Sequence, residues 1–212
     1  METADNQLKR IIDAVRQQQF SPVYLLMGEE SYYIDRLSDF ITANALKDEE
    51  RDFNQTVIYC TRDTSVADVV MAARRYPVMA DRQLVVVKEA QNLLKIEELS
   101  SYTSKPQKST ILVICYKNGT IDRRKKIFTS IEKSGTVFES KKLREGMLPS
   151  FIKGYLKRRQ ISIDDDACLL LAESVGADLS RMAGELDKLA ISLPQGIDSV
   201  SKDLVCSVIG VS

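Results

Sequence analysis

Histidine and tryptophan are absent from this 212-residue chain. Without histidine there is no Ser-His-Asp or Cys-His nucleophilic system and no histidine-ligated metal. Cysteine is sparse. Cys60, Cys115, Cys168 and Cys206 stand far apart, so the chain has no CxxC redox or zinc motif. Four lone cysteines point to a reducing compartment. No apolar run approaches the ~20 residues a transmembrane helix requires. Met1–Arg10 is polar and has no signal-peptide core. These features predict a soluble cytoplasmic protein with no membrane partner.

Net charge is also lacking, with 30 basic against 30 acidic side chains. That zero is a sum of opposed blocks. Residues 1–116 carry 14 basic and 17 acidic side chains, residues 117–159 carry 13 and 4, and residues 160–212 carry 3 and 9. A basic block between two acidic ones is a statement about partners rather than fold.

What is present is ordinary globular material: 44% hydrophobic and 28% charged residues. Helical spacing marks 6–18, 30–46, 66–75, 92–104 and 122–133. Short apolar runs at 22–27, 53–59, 84–87, 110–116 and 136–139 read as strands. Cys115 fits the fourth run as a small buried thiol. Strands apolar on both faces, alternating with helices, predict a parallel sheet covered on both sides. Beyond residue 143 only helices are predicted, at 147–159, 164–175, 179–193 and 201–208, with Asp164, Asp178 and Ser201 as N-caps. The expected architecture is an α/β domain over 1–143, with a five-stranded parallel P-loop-like sheet, then a small helical domain over 144–212.

In such a sheet the first strand-to-helix turn is the favoured phosphate site. Here it reads Met27-Gly28-Glu29-Glu30-Ser31. A P-loop needs GxxxxGK[ST], with its Lys on the phosphates and its hydroxyl on magnesium. This turn has no Lys, and two carboxylates stand where phosphates would lie. The third strand runs into Lys88-Glu89, so a cation occupies the position where a magnesium-holding acid would be expected. Glu89 by itself reads as a solvated loop carboxylate. No cofactor, metal or catalytic group is expected.

Three segments carry a resemblance: Pro22–Asp35 (PVYLLMGEESYYID), Pro77–Ala90 (PVMADRQLVVVKEA) and Ala177–Leu189 (ADLSRMAGELDKL). Together they resemble the delta-subunit family of bacterial DNA polymerase III, in the clamp-loader branch of the AAA+ proteins, which implies an AAA+-like α/β sheet over 1–143 and a helical lid domain over 144–212. The last residues, Val208–Ser212, resemble the junction to a helical collar domain, which implies a fragment lacking that domain. The resemblance implies no ATP hydrolysis. It implies a part in the DNA polymerase III holoenzyme, a DNA-directed DNA polymerase and nucleotidyltransferase. It implies binding to the beta sliding clamp and opening of its ring for loading onto primed DNA, together with the gamma/tau and delta prime subunits.

The resemblance also implies a clamp contact at Val78 and Met79, flanked by Tyr76 and Pro77. The residues themselves are compatible. Pro77 disfavours helix at Tyr76 and ends the preceding helix, leaving apolar side chains in a loop with Arg74, Arg75 and Asp81 at its rim. Read without the resemblance, Val78 and Met79 would cap the sheet core. Arg123, Arg124, Lys125 and Lys126 oppose the macrodipole of the helix predicted there. They are candidates for DNA-backbone contact through counterion release, the alternative being a solvated helix face. Arg181 reads as a surface ion-pairing residue beside Glu185 and Lys188. Two other functions fit the same sequence: an AAA+ ATPase with an atypical site, and a generic α/β interaction domain.

Overall fold

The computed structural model describes residues 4–210. The chain divides into two compact units, Met1–Lys142 and Leu143–Ser212.

The first unit opens with helix α1 (Ala4–Arg16). It continues through β1 (Val23–Gly28), α2 (Ser31–Ala45), α3 (Arg51–Asn54), β2 (Gln55–Tyr59), α4 (Val66–Ala73) and β3 (Gln83–Lys88). It closes with α5 (Ser100–Thr103), β4 (Thr110–Lys117), α6 (Lys126–Ser134) and β5 (Thr136–Ser140). The strands form one parallel sheet in the order β2-β3-β4-β1-β5. The predicted five-stranded α/β sheet is therefore present. All six residues of β1 are buried, as a central strand covered on both faces demands. Val23, Leu25, Met27, Val85, Val87, Leu112 and Ile114 face one layer, with Val69 of α4 and Ile127 and Ile131 of α6. Tyr24, Leu26, Leu84, Val86, Val113 and Cys115 face the other, with Ile11 of α1 and Ile34, Leu37 and Ile41 of α2.

The second unit contains α7 (Leu148–Lys157), β6 (Ser162–Ile163), α8 (Asp165–Val175), α9 (Leu179–Ser192), β7 (Ser199–Val200) and α10 (Lys202–Ile209). Met182, Leu186 and Leu189 of α9 are buried at helical spacing. Asp178 and Ser201 cap their helices through side-chain oxygens, whereas Asp164 occupies an N-cap position without a side-chain cap bond. The parallel pairing of β6 with β7 is additional to the predicted helices. Two-residue strands are too short to show a period.

Three predicted elements differ from the structure. The helix expected at 92–104 is two 3-10 turns, Ala90–Asn92 and Ile96–Leu99, followed by α5. Leu93, Ile96, Leu99 and Tyr102 are all buried, and their spacing of three suits 3-10 turns rather than an α-helix. The helix expected from Asp122 begins at Lys126, because the Asp122 carboxylate accepts from the Arg124 N–H and holds a turn instead. Phe53 and Asn54 belong to α3 rather than to the second strand.

Candidate functional site

The carboxyl end of β1 is closed by the chain itself. Gly28 N–H donates to Gly119 O at 2.9 Å, and Gly119 N–H returns a bond to Gly28 O at 3.2 Å. Glu29 N–H donates to Ser140 O, and Glu30 N–H to Ser140 Oγ. The N–H groups that would cradle a phosphate thus have internal acceptors. The buried Glu30 accepts from Tyr32 N–H as the N-cap of α2. Its carboxylate occupies the anion-favouring helix start that a phosphate would use.

A second network lies at the ends of β3 and β4. Lys88 Nζ is 3.1 Å from Asp39 and 3.8 Å from Asp35. Lys117 Nζ is 2.9 Å from Asp35 and 2.7 Å from Glu89. Gln91 donates to the other Glu89 oxygen and accepts from Lys117 N–H. Glu89 is therefore a paired carboxylate, not the solvated one expected, and the Lys117 bond holds its carboxyl below the usual range. Two lysines neutralise Asp35, Asp39 and Glu89, and among the described residues no group of three or more carboxylates or thiols is placed to hold a metal ion.

The apolar loop after α4 has different properties. Tyr76 is 79% exposed, Val78 49% and Met79 100%. Val78 and Met79 do not cap the sheet core. Met79 adopts a left-handed backbone, φ 51°, which costs a non-glycine residue about 1–2 kcal/mol. Both flanks of the loop are fixed. Asn54 Nδ2 donates to Val78 O at 3.0 Å, and Val78 N–H donates to Asn54 Oδ1 at 2.6 Å. On the other flank Gln83 and Gln107 both donate to Arg75 O. Tyr102 Oη and Thr110 Oγ1 donate to Ala73 O at the end of α4. Sequence reasoning missed Asn54, Gln83 and Gln107. The signal in the sequence was an amide, Gln83, heading the apolar run of β3, where burial obliges it to find partners.

The basic residues ahead of α6 are largely engaged. Arg123 pairs with Glu139 at 2.6 Å and lies over the Phe128 ring. Arg124 pairs with Asp122, and Lys125 with Glu97. Among the described residues Lys126, the first residue of α6, carries no ion pair. In the second unit Arg159 pairs with Asp187, and Lys188 with Glu185. All four cysteines are free, and Cys60, Cys115 and Cys168 are buried.

An AAA+-like fold with a phosphate turn occupied by its own chain is what this sheet order and turn define. The DNA clamp loader delta protein of Bacillus subtilis shares the fold. It matches with a TM-score of 0.71 and 22% identity, over 95% of this chain and 62% of that one. RuvB of Thermotoga maritima, described as a Holliday junction branch migration motor, matches with a TM-score of 0.55 and 16% identity, over 98% of this chain and 68% of that one. Residues 24–141 match the family model described as DNA polymerase III, delta subunit, and the chain belongs to that family. The Bacillus subtilis (strain 168) DNA polymerase III subunit delta is 29% identical over 178 residues, 79% of this chain. The chain spans about half the length of that relative, 51%.

Proposed function

We propose that this chain is a non-catalytic clamp-loader subunit that grips the beta sliding clamp through Tyr76, Pro77, Val78 and Met79. By holding one ring interface it helps open the clamp for loading onto primed DNA. Its other partners are the gamma/tau and delta prime subunits, and its compartment is the cytoplasm. Among the described residues no helix is long and apolar enough to cross a membrane.

The observation that carries this reading is Met79. A fully exposed, flexible apolar side chain on a left-handed backbone is doubly unfavourable in the free chain. Insertion into an apolar pocket on a partner would reward both features, since methionine fills irregular pockets. Interface energy concentrates in a few such anchors surrounded by polar residues, here Arg74, Arg75 and Asp81. The self-bonded turn at Gly28–Glu30 and the Lys88 and Lys117 ion pairs favour gripping over ATP chemistry. The same chain is proposed to touch the DNA backbone through Arg123, Arg124, Lys125 and Lys126. Exposed ion pairs are weak, so these side chains can exchange an internal carboxylate for a phosphate.

The test is clamp binding by the double variant Val78→Ala/Met79→Ala. Loss of at least about tenfold in affinity is expected for removal of interface anchors. Unchanged affinity would sink the assignment. Calorimetry with ATP addresses the enzyme alternative: no saturable heat is expected, and micromolar binding would overturn the non-catalytic reading.

A further inference from the structure

Asn54 lies 24 positions before Val78 in sequence, yet its amide makes two reciprocal hydrogen bonds with the Val78 backbone. This is the pairing that one strand residue offers another, supplied by a side chain. The same Nδ2 also donates to Glu50 O at 3.0 Å, which anchors the amide to its own helix turn. Asn54 is 3% exposed, so it takes no part in any surface contact itself. It sits at the end of α3, directly before the edge strand β2. The loop is thus tied to the sheet edge at Val78, while the next residue, Met79, is left wholly exposed in a left-handed conformation.

We propose that Asn54 is a positioning residue for the clamp contact. It holds Val78 and Met79 in their binding conformation before the partner arrives. This inference rests on the reading that the loop binds the clamp. The physical reason is preorganisation. A free loop of five or six residues would order on binding and lose affinity to that ordering. Two part-buried hydrogen bonds to one backbone residue remove much of that loss in advance. The left-handed backbone at Met79 follows directly on Val78, which the two Asn54 bonds hold, while the Gln83 and Gln107 bonds hold Arg75 at the start of the loop.

Three variants measured together test the inference: Asn54→Ala, Val78→Ala/Met79→Ala, and the triple combination. Affinity for the beta clamp and hydrogen exchange at the Val78 amide are the readouts. Asn54→Ala is expected to weaken clamp binding by about tenfold, the scale of one or two lost hydrogen bonds. It is expected to speed Val78 amide exchange at least about tenfold while leaving the β3 and β4 amides protected, as local opening requires. In the triple variant Asn54→Ala should add less than about twofold to the loss, because coupled residues are not additive. Asn54→Asp keeps the volume and the acceptor for Val78 N–H but loses the donor to Val78 O, so it should weaken binding as well. It also serves as the test if the alanine variant fails to fold. Wild-type affinity in Asn54→Asp, or in a folded Asn54→Ala, would overturn the positioning role while the double variant still loses binding. A further tenfold loss in the triple variant would also overturn it, since Asn54 would then act outside the loop. If the double variant binds normally, the clamp assignment itself fails, and this inference fails with it.

Discussion

Gly28 shows how one residue carries both fold and site. Its φ is +134°, and a Cβ placed there would lie 2.1 Å from Ser140 O and 2.4 Å from Ser140 Oγ. The close approach of Ser140 is what lets it accept from the Glu29 and Glu30 N–H groups. A Gly28→Ala substitution therefore meets backbone strain and a clash with main chain together. It is expected to destabilise the protein by about 2–4 kcal/mol, read as a lower urea midpoint. An unchanged midpoint would mean that the turn relaxes away from β5. Met79 is the converse case, since its left-handed backbone follows directly on the Asn54-held Val78 and its side chain is wholly exposed. At Gly28 the close approach of Ser140 requires the unusual backbone, and at Met79 the unusual backbone presents an apolar side chain to solvent.

At the scale of elements, β3 and β4 end in a charge network that links them to α2. Lys88 and Lys117 are mostly covered, and their partners Asp35 and Asp39 lie on α2. Burial lowers the Lys117 pKa, but the Glu89 and Asp35 bonds outweigh it and leave it raised. Glu89, held below its ordinary value by Lys117, contributes stability above pH 4.5, and that stability fades as pH falls through its folded value. Denaturant titrations between about pH 3 and pH 6 should show stability falling towards acid. Glu89→Gln should flatten part of that fall; an identical acid profile would show that the pair contributes nothing. The elements also show where sequence periodicity works and where it stops. The apolar strands and their flanking helices were legible because each is a local pattern. The 92–104 segment reads as one helix because an i, i+3 spacing satisfies both helix types. Only its packing, with Leu93, Ile96, Leu99 and Tyr102 all inward, separates them. The loop at Tyr76–Met79 was legible as apolar and Pro-broken, but Asn54, which holds it, was not. Nothing local connects positions so far apart.

Over the whole molecule the zero net charge hides a basic stretch between acidic ones. If Arg123, Arg124, Lys125 and Lys126 meet phosphates, binding to primed DNA should weaken steeply between roughly 50 and 200 mM salt. Replacing all four by alanine should make the log–log salt slope shallower by about 3, the value for four released counterions less some residual contact. A salt-independent affinity, or a slope the four substitutions leave unchanged, would remove these residues from the DNA contact. The sequence by itself determined the alternation of strand and helix, the apolar faces, the lack of a GxxxxGK[ST] motif at the first turn, and the apolar-loop candidate. These follow from the spacing and identity of near neighbours, where helix and strand periods are written directly. Only the tertiary structure decided that Glu30 and Ser140 occupy the phosphate turn. It likewise decided that Lys88 and Lys117 neutralise the acids beside it, that three of the four basic candidates already hold carboxylates, and that Asn54 grips Val78. Each of these pairings depends on strand order and on which strand ends and loops lie side by side, and side chains distant in sequence meet only once that order exists.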